Sequence, residues 1–118
     1  MKYRDVMAAA VCLRNVRFKS PSVIKAAQAL FSLQPHMNVV EESKRILLEK
    51  FNQGRVTFNT KDANFICFSE GLEVLSNQSV VVDIPTFELS EIDEVSTVDH
   101  VSLSILMVLK IVKIGRAH

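Results

Sequence analysis

Glycine, cysteine and histidine are all scarce in this chain, and each shortage removes a class of function. Three glycines are too few for a loop whose backbone amides cradle a phosphate. The three histidines, His36, His100 and His118, stand apart, and none falls at metal-ligand spacing from Cys12 or Cys67. Both cysteines sit among apolar neighbours, AVCL and FICF, which predicts two buried free thiols and no disulfide framework. Long apolar runs are missing too. The uncharged stretch Val101 to Leu109 is far short of the roughly 20 residues that cross a bilayer.

Catalytic arrangements are equally thin. Asp99 and His100 are neighbours close to Ser102, but adjacent helical residues point in different directions, and no nucleophile turn accompanies them. Glu70 and Glu73 can share a helix face, and a carboxylate pair alone is weak ground for acid/base work. The expectation is a protein that is not an enzyme, with no cofactor and no metal. The opening MKYRDVMAAAVCL resembles a signal peptide in outline only. Asp5 interrupts its basic segment, the apolar run stops at Leu13, and Arg14 and Arg17 follow without a cleavage site. A soluble, cytoplasmic protein with no membrane partner is expected.

What is present is enough apolar material, 48% of 118 residues, for one domain over 1–118 with a real core. Net charge is +1, but it is unevenly spread. Residues 1–61 carry eleven basic and four acidic side chains, and the remainder carries three basic and nine acidic. Such asymmetry suits a polyanionic partner for the first half, or a head-to-tail contact between copies. The alternative is that the halves neutralise one another within the fold.

In chain order, Val6, Met7, Ala10 and Leu13 predict a largely buried helix over Tyr3–Val16. Ser20 and Pro21 suit a helix start, from which Val23, Ala27, Leu30 and Phe31 face inward until the helix ends near Leu33, before Pro35. Asn38 and Glu41 have the spacing of a capping box and predict a third helix with Val40, Ile46, Leu47 and Phe51 inside. Gly54 stops it, and Arg45 pairs with Glu41 and Glu49 outside. Beyond Gly54 the period changes to two. Val56 and Phe58, a turn at Lys61–Asn64, and Phe65–Phe68 predict a hairpin. Val80–Ile84, continuous and β-branched, predicts a central strand. Thr97–Ile114 predicts a closing helix, apolar most of the way round, that is buried or shared with a second chain.

Helix, helix, hairpin over residues 20–68 is similar to the order of elements in winged-helix domains. The resemblance covers about half the chain and rests on element order. It implies phosphate contacts from Arg55 and Lys61 at the base and tip of the hairpin. The helix in the recognition position is nevertheless neutral, Lys44, Arg45 and Lys50 being matched by Glu41, Glu42 and Glu49. The expected fold is therefore α+β: three N-terminal helices, helix-turn-helix-like, followed by a small antiparallel β-sheet and a buried C-terminal helix. The expected function is non-catalytic binding. Nucleic acid is the first partner class, contacted through Arg14, Arg17, Lys19, Lys25, Lys44, Arg55 and Lys61. The second is protein, through a small regulatory or inhibitory subunit that presents the acidic stretch 88–99. A homodimer through the C-terminal helix is expected in either case. If 88–99 is instead a solvated loop, replacing Glu91, Asp93 and Glu94 by serine leaves stability unchanged.

Overall fold

A computed structural model describes residues 1–55, 57, 61, 63–93 and 100–113. Among these residues the elements are helix α1 (Tyr3–Asn15), α2 (Val23–Asn52), α3 (Ala63–Asn77), strand β1 (Phe87–Glu88), α4 (His100–Val108) and strand β2 (Val112–Lys113). Single 3₁₀ turns at Ser20–Ser22 and Leu89–Glu91 precede α2 and follow β1.

The core is built on α1. Val6, Ala9, Ala10, Cys12 and Leu13 are buried, and α1 packs against α2, α3 and α4. Small residues make the contact with α2 close: Ala26 and Ala29 of α2 are buried with Ala9 and Ala10 in one cluster, together with Leu33, Phe87, Leu106, Ile111 and Val112. The β1–β2 pair is parallel, with Phe87 opposite Val112 and Glu88 opposite Lys113. Two backbone clasps tie the linkers down. The Val80 N–H donates to the Met1 carbonyl (2.7 Å), and the Lys19 N–H donates to the Glu91 carbonyl (2.8 Å).

The expected α+β architecture is wrong in most of its second half, because the described chain is four helices with a sheet of only two two-residue strands, and those are parallel. The predicted second and third helices are a single one. Pro35 lies inside α2, which runs for 30 residues. An interior proline removes one backbone hydrogen bond and disfavours helix, but Leu33 and Met37, within a turn of it, and Leu30, five residues before it, belong to or pack on the core. That burial holds the helix together through the break. Ser20 and Asn38 accordingly cap nothing: Ser22 precedes α2, and the Asn38 amide oxygen accepts from Gln34 one turn earlier (2.9 Å). The helix does stop where the glycine requires, with Gln53 and Gly54 both left-handed (φ 54° and 82°).

No hairpin is found at Phe65–Phe68, which lies within α3. The first predicted strand falls mainly on Val56 and Phe58, outside the described residues. A continuous apolar run fits a buried strand or a helix equally well. Here the helical period turns Phe68 inward and leaves Cys67 exposed, against the expectation that both thiols are buried. A thiol reagent applied without denaturant is therefore expected to label Cys67 within minutes and Cys12 only on unfolding. Stoichiometric labelling read by intact mass checks this. Val80–Ile84 enters no sheet, and Val81 is almost fully exposed. The closing helix is shorter than predicted and ends at Val108, followed by Lys110 in a left-handed conformation (φ 64°). Residues 97–99 and 114 of the predicted element lie outside the described residues.

Gly71 lets α3 approach α2: a β-carbon there would come within 2.9 Å of Leu47 Cδ2. The far half of α2 and α3 thus form a helical arm extending from the core. A helix of this length is about 45 Å long, which accounts for the 56 × 28 × 24 Å dimensions and the radius of gyration of 17.2 Å. A spherical domain of this size has a radius of gyration of about 13–14 Å.

Candidate interaction surface

Two faces of α2 are apolar. At about 100° per residue, Ala26, Ala29 and Leu33 point to the core and are buried. On the opposite side stand Ile24 (71% exposed), Phe31 (81%), Val39 (43%) and Ile46 (52%), with Pro35 exposed between them. All five lie within about 40° of the Pro35 direction, so they form one narrow stripe along the arm. Scattered apolar residues on a surface are ordinary, whereas several large ones aligned along one side of a helix make that side a candidate contact surface. Val23, Ala27, Phe31 and Ile46, expected inside, are exposed.

Lys25 apart, the Asp, Glu, Lys and Arg residues of the same helix lie in its far half. Arg45 is bound by Glu42 on one side and by Glu49 at 3.5 Å on the other. The Arg45 hydrogen bond and charge hold the Glu42 carboxyl below its ordinary value, and Glu42 in turn raises Arg45. The predicted Arg45–Glu49 pair is present, with Glu42 in place of Glu41 as the second carboxylate.

The basic residues assigned to nucleic acid divide into two groups. Arg14, Arg17 and Lys19 are exposed near the near end of α2. Lys25 is committed within the fold: its Nζ lies 3.2 Å from both carboxylate oxygens of Glu91 and 4.6 Å from the centre of the Phe87 ring. Lys44, Arg55 and Lys61 are exposed on the far part of the arm or beyond it. Along α2 Lys44 stands about 28 Å from Lys25, and the end of the helix at Asn52, which Arg55 follows, about 40 Å from it. The winged-helix placement of Arg55 and Lys61 on a hairpin does not hold, because Arg55 follows α2, where its carbonyl accepts from Asn52 Nδ2 (2.6 Å), and Lys61 precedes α3.

Part of the acidic stretch is structural. Glu91 accepts from the Glu88 N–H (2.6 Å), the Ser22 hydroxyl (2.9 Å) and Lys25, joining the turn after β1 to the start of α2. The Glu88 backbone N–H is the foremost cause of its lowered pKa, followed by Ser22 and Lys25 and opposed by partial burial. This corrects the solvated-loop expectation for Glu91; residues 94–99 lie outside the described residues. Glu91→Gln is expected to cost about 1–2 kcal/mol at neutral pH, since hydrogen bonds to a charged, partly exposed group are lost. The sign follows from the lowered native pKa. Glu91 stabilises fully above its unfolded value of about 4.3 and loses that contribution as pH falls through the native value. Urea denaturation at pH 7 and pH 3 should therefore show the difference between the two proteins shrinking at the lower pH.

On α4, Leu106 and Ser102 face inward, and the Ser102 hydroxyl accepts from Asn15 Nδ2 at 3.4 Å. Val101 and Val108, seven residues apart, are exposed on the other side and line a shallow apolar cleft with Asp5, Ala8 and Ile105. Among the described residues no three His, Cys, Asp or Glu side chains are grouped to hold a metal, and no helix is long and apolar enough to cross a membrane. The chain matches no protein-family model, no curated protein and no solved structure.

Proposed function

We propose that this is a non-catalytic protein-interaction module, in which a core built on α1 holds out the α2–α3 arm and the outer face of α2 docks on a partner. The observation that carries the reading is the line Ile24, Phe31, Val39 and Ile46, exposed on the side of α2 opposite its buried face. Leaving four large apolar side chains in water along one helix is unfavourable by about 25 cal/mol per Å², and a partner that covers them recovers this. The basic residues support a nucleic-acid partner less well, being split along the arm with Lys25 engaged by Glu91. Cytoplasmic residence fits this reading, since Cys12 and Cys67 are both free thiols and a reducing compartment keeps them so.

The test places a photo-crosslinking amino acid at Phe31 and, as a control, at exposed Glu73 on α3. Protein adducts at position 31 that are absent at position 73 are the expected result. In parallel, binding of labelled DNA and RNA is followed against salt. A log–log slope near −4 or −5, falling by about 2 when Arg55 and Lys61 are both replaced by alanine, would replace this reading with a nucleic-acid one.

A further inference from the structure

The stripe on α2 is a palindrome. Its positions run Ile24, Gln28, Phe31, Pro35, Val39, Glu42, Ile46, with spacings of four, three and four residues on each side of Pro35. Large apolar residues stand at 24, 31, 39 and 46, and polar ones at 28 and 42. All seven lie within one strip about 80° wide, and all are exposed. Such a surface is self-complementary when two copies lie antiparallel, because in a twofold contact residue i meets j of the second copy while j meets i, and here each apolar position meets an apolar one and each polar position a polar one.

We infer that the partner of the outer face of α2 is a second copy of this chain, docked antiparallel with the twofold axis at Pro35. This rests on the reading of that face as a docking surface and names its occupant. The pairing sets Ile24 against Ile46 of the second copy and Phe31 against its Val39, each twice. Gln28 meets Glu42 of the second copy, an amide donor against a carboxylate acceptor.

Charge selects the antiparallel sense. On the outward side of α2 the ionised groups after Pro35 are the Glu42–Arg45–Glu49 network and Lys50, whose ammonium lies over the Phe51 ring. The outward residues before Pro35 are the uncharged Ile24, Ala27, Gln28 and Phe31, Lys25 being turned to Glu91. Antiparallel docking lays the charged half of each arm on the uncharged half of the other. Parallel docking would set Glu42 against Glu42 and Arg45 against Arg45, which is destabilising. The strip is about 33 Å long and one helix wide, so it covers roughly 700–800 Å² in total, below the ~1,200 Å² at which stable dimers begin. The dimer is accordingly weak and reversible, and forms with rising concentration.

Sedimentation equilibrium on the full chain, from about 10 µM to 1 mM, tests this. The parent protein is expected to pass from monomer to dimer across that range. Phe31→Glu, at a residue that contributes little to the fold, is expected to abolish the dimer with the far-UV spectrum unchanged. Gln28→Lys and Gln28→Glu read the register. Each acts twice per dimer on an exposed pair, so the lysine tightens association about three- to tenfold and the glutamate weakens it by a similar factor. Equal effects of the two substitutions would overturn the antiparallel alignment. A dimer that survives Phe31→Glu and is lost in Val108→Glu would overturn the inference and place the contact on α4. A monomer at every concentration, with crosslinks from position 31 to other proteins, would overturn self-association and leave the docking surface standing. A monomer with no adducts would remove both.

Discussion

Leu106→Asp is expected to unfold the protein. Leu106 is fully buried at the point where α4 meets the cluster of α1, α2 and β2, and its carbonyl accepts from the Ile111 N–H (2.9 Å) as the chain turns from α4 towards β2. A carboxylate placed there has no cation in the core to pair with, and it must either remain charged in an apolar environment or take up a proton. The loss exceeds about 4 kcal/mol, a large part of the roughly 5–15 kcal/mol that holds a domain together. Far-UV circular dichroism at 25 °C should show the loss of helix directly. Leu106→Met, which conserves volume, should cost less than about 1.5 kcal/mol and remain folded. A folded aspartate variant with an unchanged melting curve would mean that α4 contributes nothing to the core.

The second large effect is expected at Phe87, because the parallel strand pair is too short to hold itself by backbone hydrogen bonds. Phe87 is buried in β1 opposite Val112, and its N–H donates to the Ile111 carbonyl (2.7 Å). Its ring lies 4.6 Å from that of Phe18 at an angle of 39°, and the Lys25 ammonium sits above it at 4.6 Å. One side chain thus joins the linker after α1, the first turn of α2 and the segment after α4. Phe87→Ala removes that junction and leaves a cavity, at a cost of about 3–5 kcal/mol. At this chain length that is a fall in Tm of roughly 10–20 °C. Phe87→Leu keeps most of the buried volume but loses the ring contacts, each worth about 0.5–1.5 kcal/mol, so its Tm should fall between those of the parent and the alanine variant. Thermal melts of the three proteins give the order, and a leucine variant as stable as the parent would show that the ring contacts are not the junction.

Some of this architecture is legible in the residues alone. Helix α1 follows from Val6, Ala10 and Leu13 at helical spacing, and it is found within a residue of its predicted end. Gly54 marks the end of α2 because a left-handed stop needs no tertiary help. The burial of Leu106 follows from an apolar helix that has little choice but to bury one side. These features are local: each depends on a propensity or a period that a few neighbouring residues decide.

The rest depends on contacts between distant residues. Pro35 is a helix stop by local chemistry, and only the burial of Leu33 and the packing of Leu30 and Met37 carry α2 through it. Dividing that helix at Pro35 lets each half be phased separately. Both halves have apolar residues on two sides, so Phe31 and Ile46 are assigned inward when the continuous helix turns them out. Phe65–Phe68 fits a strand or a helix until α2 offers Leu47 for Gly71 to pack against. Glu91 reads as one acid among several until Ser22 and Lys25, more than sixty residues earlier, are brought to it. The sequence by itself determined that the chain begins with helix α1, that α2 stops at Gly54, and that the two halves differ in charge. Which face of each helix is buried was decided by the tertiary structure, because a helix apolar on two sides has two nearly equal ways to lie. The neighbour it packs against removes that degeneracy.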